Sequence, residues 1–313
     1  MGSFFIAFNA IMPVTLIVII GYFFKSKQFL DKSTISKVNT LCYKFLIPTV
    51  TFSNILHTNI NEIIDFKLLI YVFFSIIVSI LLASIIIPFF EKNRKKQGSI
   101  IQAIYRSNFV LLGIPISNYI AGEKASAVAS ILIMVVIPAY NALAVVILSI
   151  YGGKEKLNML KLFKQVITNP MIIGSFLGII CSMIGLKLPR FLDKTVLDIA
   201  KLGSVLPILM LGASLDFSTV SSNLKNLIIG LSGKLFFVPL IFLSIAIQIG
   251  FSKEKLVALI SVYCSPVAVI SAIMAEQMGC DGELATQYVV FSTVISCITI
   301  FFWVFTLSIM NII

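Results

Sequence analysis

Long apolar runs broken by short polar segments repeat along the whole chain. Ten runs stand out, at approximately residues 4–24, 37–57, 67–90, 99–120, 125–151, 169–187, 195–215, 225–249, 254–278 and 284–312. A helix crosses the hydrocarbon of a bilayer with roughly 20 mainly apolar residues, and in lipid an open segment must satisfy its own backbone, as a helix does. No linker or low-complexity stretch separates the runs. The pattern predicts an all-α integral membrane protein of about ten transmembrane helices with almost no soluble part.

The polar segments orient the spans. Lys25, Lys27, Lys32 and Lys37 follow the first run, Lys92, Arg94, Lys95 and Lys96 the third, and Lys154, Lys156, Lys161 and Lys164 the fifth. The even-numbered connections carry fewer basic residues. By the positive-inside rule the odd connections face the cytoplasm and both termini lie outside. The first basic residue, Lys25, comes after the first run, so 4–24 reads as a retained helix and not as a signal peptide. The expected location is the cell (plasma or inner) membrane, as a multi-pass protein.

The basic connection 152–168 divides the chain into residues 1–151 and 169–313, each with five runs. An odd number of spans inserts two similar halves in opposite orientations, the inverted-repeat plan of many secondary transporters. Leu46–Leu56 in span 2 resembles Val205–Leu215 in span 7, each with a central proline followed by a small residue. Spans 4 and 9 each hold a proline, Pro115 and Pro266, and each ends in an acidic, glycine-containing turn at Gly122-Glu123 and Asp281-Gly282-Glu283.

Composition supports the membrane reading. Of 313 residues, 59% are hydrophobic and 12% charged, against about 25% charged in ordinary soluble domains. The net charge of +11 sits in the connections, so it reads as a topology signal and not as a nucleic-acid footprint. Five cysteines without CxxC spacing and a lone His57 suggest buried thiols and no metal site. No GxxxxGK[ST] signature is present, no cofactor is expected, and the acids are too scattered for a membrane enzyme. A receptor would need an extramembrane domain that the pattern does not contain.

Candidate chemistry lies inside the runs. A proline within a span removes a backbone donor, and the freed carbonyl is tolerable where the helix lines a protein cavity. Broken helices 4 and 9, near Pro115 and Ser265-Pro266, could cross at mid-membrane and present positive half-helix N-termini to an anion. Prolines also occur in other spans, so simple kinks remain the alternative. Ionisable residues within spans are expensive and tend to be functional: Lys44, Arg106, Lys201, Lys234 and Glu276. Lys44 and Arg106 lie within snorkelling reach of the cytoplasmic face, and Lys201 of the outer one. Lys234, deep in span 8, is expected either to be a structural partner to carbonyls or Glu276 or to contact an anion or coupling ion. The excess positive charge of this set favours an anionic substrate. Asn9, Asn54, Asn108 and Asn141 need partners within the protein, and Asn108 and Asn141 adjoin the expected break.

In these residues the chain resembles the auxin efflux carrier family, which includes plant auxin exporters and bacterial permeases for malate, malonate and similar anions. The matching elements are Asn108 with Gly113-Ile114-Pro115, Asn169-Pro170, Leu202-Gly203 leading to Leu211-Gly212, Lys234 five residues before Pro239, and Pro266 followed by Ala275-Glu276 and the acidic turn. They occur in order over nearly the whole chain. The resemblance implies the fold of bile-acid symporters and sodium/proton antiporters. Spans 1, 2, 6 and 7 would form a scaffold and homodimer contact, and spans 3–5 and 8–10 a transport domain moving as an elevator. The resemblance carries over Asn108, Pro115 and Pro266 as crossing residues. With the polar groups singled out above, the candidate substrate site is Asn108, Gly113, Pro115, Asn141, Lys234, Ser265, Pro266 and Ser271, with Glu276, Arg106 and Asn54 as coupling or structural groups. Span 2 departs from the expected pattern in lacking an acidic residue, having Asn54 and Lys44 instead, which favours a downhill or potential-driven mode over proton coupling by that route. A sodium-coupled bile-acid-type symporter would need oxygen ligands from Glu276, Ser265 and Ser271. The expected partners are a small organic anion and the lipid bilayer.

Overall fold

A computed structural model describes residues 2–57, 65–153, 164, 167–216, 218 and 220–313, without the side chains of residues 2–11, 14, 15, 111, 115, 119 and 123. The described chain is helical, with α1 (Gly2–Ser26), α2 (Lys32–Leu41), α3 (Ile47–Leu56), α4 (Phe66–Phe90), α5 (Arg94–Tyr105) and α6 (Ile114–Gly152) in its first half. The second half holds α7 (Pro170–Met183), α8 (Arg190–Ser214), α9 (Val220–Ser232), α10 (Val238–Ile249), α11 (Lys253–Tyr263), α12 (Ile270–Gln277) and α13 (Gly282–Ile309). Expected spans 4 and 5 merge in α6 but turn at Ala121–Gly122, where Gly122 adopts a left-handed φ of +74° that a side chain would resist. The helix starts are capped by short acceptors. Asp65 accepts from Leu68 N, Asp281 from Leu284 N, and Asn169, directly before Pro170, from Met171 N.

Among the described residues, five segments are continuous and apolar enough to span a membrane: Phe66–Phe90, Lys124–Gly152, Arg190–Ser214, Val220–Ile249 and Gly282–Ile309. Several other expected spans differ for physical reasons. Span 2 carries Asn39, Lys44 and Asn54 within its helical stretch. Span 6 is the short, apolar α7. Spans 4 and 9 are each divided by unwound chain, at Arg106–Asn108 and Cys264–Val269. The connection 152–168 lies mostly outside the described residues.

Three wide π turns interrupt the helices: Cys42–Leu46, Phe109–Gly113 and Gly233–Phe237. Each is followed by a helix whose second residue is proline: Pro48, Pro115 or Pro239. Proline lacks an N–H and collides with the carbonyl four residues earlier. An extra residue in the preceding turn makes room for the ring, and in span 8 the carbonyl of Leu235, four residues before Pro239, is satisfied by Trp303 Nε1 at 3.0 Å. Pro13, Pro88, Pro138 and Pro207 instead lie within regular helix.

Two kinds of packing position the site. α1 lies against α8 and α3 against α7 and α8, all at glycines. A Cβ on Gly21 would fall 2.0 Å from Leu209 O, one on Gly212 2.0 Å from Val18 O, and one on Gly174 2.6 Å from Pro48 O. Without a hydrophobic drive between helices in lipid, such close backbone approach supplies the attraction. α1 also packs against α13. The half-helices α5 and α11 are the centre of the molecule: every residue of Gln97–Tyr105 and Leu256–Tyr263 is buried. α4, by contrast, leaves Phe66, Ile70, Phe74 and Phe89 exposed on one side, as lipid contact allows.

Candidate functional site

The two unwound stretches meet. Asn108 N donates to Pro266 O at 2.8 Å, and Ser107 faces Val267 in an antiparallel bridge. Each stretch is also held by the last long helix of its own half. Ser107 Oγ lies 3.2 Å from the Tyr140 hydroxyl on α6, and Val267 N donates to Ser292 Oγ on α13 at 3.0 Å. Asn108 N, Pro266 O and Val267 N, released by unwinding, therefore have partners within protein, as a membrane interior demands. Gly113 lets the strands close in: a Cβ there would sit 2.5 Å from Ser261 O and 2.7 Å from Ser265 Oγ.

A cavity of about 120 Å³ opens beside this junction. The first break and its π turn supply Arg106, Ser107, Asn108, Phe109 and Val110; α6 supplies Ile137, Tyr140 and Asn141; and the second break supplies Ala268, Val269 and Ile270. The opposite wall is Ile47, Val50, Thr51 and Asn54 of α3, Met171 of α7, and Gly203, Ser204 and Pro207 of α8. The first turns after both interruptions, at Phe109–Val110 and Val269–Ile270, line the cavity, so partial positive charge from their N–H ends reaches it.

Arg106 dominates the electrostatics of the cavity. Its side chain is 3% exposed, so it does not snorkel to the cytoplasmic face as its position in span 4 had suggested. Nη2 donates to Asn141 Oδ1 at 2.7 Å, and Nη1 reaches Tyr140 O at 3.4 Å and Met274 Sδ at 3.1 Å. Asn141 Nδ2 in turn donates to Ser175 Oγ of α7 at 3.2 Å. All these partners are uncharged, the buried Nε has no partner, and among the described residues no carboxylate pairs with this cation. A second cavity, of about 520 Å³, lies toward the connection 152–168 and includes Tyr43, Ser149, Asn169 and Met278.

The structure separates the remaining residues picked from sequence. Asn54, Asn108, Asn141 and Arg106 share the cavity. Pro266 contributes its carbonyl to the junction, and Gly113 its lack of a side chain. Pro115 is the second residue of α6, and its ring lies outside the described side chains; span 4 unwinds at Arg106–Asn108, ahead of that proline. Ser265 is buried with its hydroxyl on Ser261 O at 2.6 Å, and the buried Ser271 hydroxyl has no partner. Lys234 is fully buried on the π turn of span 8, off the cavity lining, and its Nζ has no hydrogen-bond partner. It does not pair with Glu276, which is exposed at the end of α12 and accepts from Asn39 Nδ2 at 3.2 Å. Glu276, Ser265 and Ser271 thus have separate surroundings, which does not favour them as a joint ion site.

Sequence reasoning missed Thr51, Tyr140, Met171 and Ser204 as lining residues, and named Arg106 as a coupling or structural group within snorkelling reach of the membrane face. A usable signal existed. Ile104-Tyr105-Arg106-Ser107-Asn108 and Val262-Tyr263-Cys264-Ser265-Pro266 share an aliphatic–Tyr–x–Ser pattern, and the chain leaves the helix directly after each tyrosine. That pattern finds both breaks, whereas proline alone finds one.

Comparison with known proteins settles the class. A family model described as "Membrane transport protein" matches residues 6–304. The chain belongs to this family. It is the auxin efflux carrier family anticipated from the motifs. A relative from Methanothermobacter thermautotrophicus, described as an uncharacterized transporter, is 21% identical over 302 residues, covering 94% of this chain and 96% of its own. Membership in the family, together with the apolar helices, makes the protein a multi-pass membrane transporter.

Proposed function

We propose that the protein is a secondary carrier for a small organic anion, with its substrate held in the cavity beside the two interrupted helices. The observation that carries this reading is Arg106, a buried guanidinium lining a cavity with only neutral partners. A buried charge without a counter-charge costs several kcal/mol. An anionic substrate supplies the missing charge, and the two helix starts facing the same space add to the attraction.

In this reading the ten expected spans form two inverted five-helix repeats, with residues 1–151 and 169–313 as the halves. The similarly anchored breaks support that symmetry. Spans 1, 2, 6 and 7 serve as scaffold and homodimer contact, and spans 3–5 and 8–10 move as an elevator. The cavity lies between α3, α7 and α8 on one side and the breaks and α6 on the other, the place where such a movement transfers a solute. The termini face outside, following the basic connections.

The test is uptake of labelled organic anions into liposomes containing the purified protein. Arg106→Gln and Asn108→Ala are expected to lose uptake while still eluting as folded protein. Undiminished uptake by Arg106→Gln would remove the anion site from this cavity.

A further inference from the structure

Resting on that reading of the cavity, we infer that the substrate is a short monocarboxylate and that dicarboxylates are rejected. Three observations carry the inference. The first is the charge inventory. Among the described residues lining the cavity, Arg106 is the one cation; the other polar side chains are amides and hydroxyls. Lys234, the other deeply buried cation, is not part of the lining. One guanidinium neutralises one carboxylate. A second carboxylate would be desolvated against Val50, Ile137 and Val269 without a counter-charge, at a cost of several kcal/mol.

The second observation is the donor geometry. A guanidinium has five N–H donors in a fixed fork. Here Nη1 is engaged by Tyr140 O and Met274 Sδ, and Nη2 once by Asn141 Oδ1. The Nε–H is enclosed by protein without a partner, and Nη2 makes one hydrogen bond, to Asn141 Oδ1. The second Nη2–H is the donor that this guanidinium has left for a carboxylate oxygen. The Asn108 side chain, which makes no hydrogen bond to a described residue and lines the same space, can donate to the same group.

The third observation is size and polarity. The cavity of about 120 Å³ is smaller than the ~150 Å³ of an apolar protein cavity that takes up benzene. Beyond the carboxylate it offers mainly aliphatic wall, suited to a short alkyl or 2-hydroxyalkyl body. With the monoanion bound, Arg106 and substrate together carry no net charge, so the loaded site crosses the hydrocarbon as a neutral pair.

Thermal unfolding of the purified full-length protein, with uptake into liposomes, tests this at pH 7. The probes are propionate, lactate, malonate, succinate, benzoate and the neutral analogue propionamide. Propionate and lactate are expected to raise Tm and to be transported, with malonate, succinate and benzoate binding at least about tenfold more weakly. Propionamide is expected to do nothing, and Arg106→Gln to lose the propionate response. Equal or tighter binding of malonate or succinate would overturn the monocarboxylate assignment while leaving an anion site in place. Equal or tighter binding of benzoate would overturn the size limit. No response to any of these anions, or a propionate response unchanged in Arg106→Gln, would overturn both this inference and the anion reading beneath it. Because the wild-type panel alone ranks the ligands, the test does not depend on the variant folding.

Discussion

Arg106 and Lys234 are both buried cations next to an interrupted helix, and neither has a carboxylate partner among the described residues. Their surroundings differ. Arg106 sits on unwound chain, engages neutral acceptors with part of its fork, and borders a cavity. Lys234 sits on a π turn inside the packed helices, with its ammonium unpartnered and off the cavity wall. A third cation, Lys255, completes the series: it is partly exposed and paired with Asp65 at the start of α4. Position in a membrane protein thus separates three surroundings for positive charge that composition lumps together: one bordering a cavity, one enclosed, and one already neutralised.

That contrast can be broken or sharpened by substitution. The largest effect is expected from Arg106→Gln, losing about 2–5 kcal/mol of anion binding, or roughly thirtyfold or more in affinity. Its apo Tm should hold or rise, because an uncompensated charge is removed. A lowered apo Tm with binding intact would make Arg106 structural and merge it with Lys234. Next comes Lys234→Met, which replaces an enclosed ammonium by an apolar chain of similar volume. Its stability should be unchanged or raised by up to about 1–4 kcal/mol, with substrate affinity within about threefold of wild type; loss of binding would return Lys234 to the site. Gly113→Ala drives a methyl group toward Ser261 O and Ser265 Oγ. It should cost about 1–3 kcal/mol of stability and weaken binding through displaced Asn108, read by thermal unfolding with and without ligand.

The smallest effect belongs to the paired cation. The hydrogen bond from Lys255 holds the Asp65 carboxyl below its usual range, helped by the Leu68 N–H. A depressed carboxylate contributes stability above its unfolded pKa, ~3.9, and loses it as pH falls through the folded value. Asp65→Asn should therefore cost about 1 kcal/mol at neutral pH. The difference from wild type should shrink below pH 4, with transport unaffected.

The class of fold was legible because lipid leaves few options: long apolar runs with basic connections dictate helices across a bilayer. The site was only partly legible. Asn108 and Asn141 could be found as polar groups in apolar surroundings that need partners. Arg106 could not be placed by hydropathy, since a long side chain near a span end reads the same whether it reaches water or turns inward. Proline was a poor guide to the breaks. Pro138 and Pro207 are absorbed in regular helix, Pro48 and Pro239 in wide turns, and span 4 unwinds at Arg106–Asn108, where there is no proline. Lys234 lies off the cavity lining, because depth in a span says nothing about which side of a helix faces a cavity.

The wide turns before Pro48, Pro115 and Pro239 also act on rotational phase. One extra residue advances the rest of a helix by about 100° around its axis, so everything beyond the turn is aimed by that insertion. A single-residue deletion within Cys42–Leu46 would keep composition and length nearly unchanged, yet would swing Thr51 and Asn54 away from the cavity and toward another neighbour. Members of this family should therefore tolerate point changes in these turns far better than a one-residue gap.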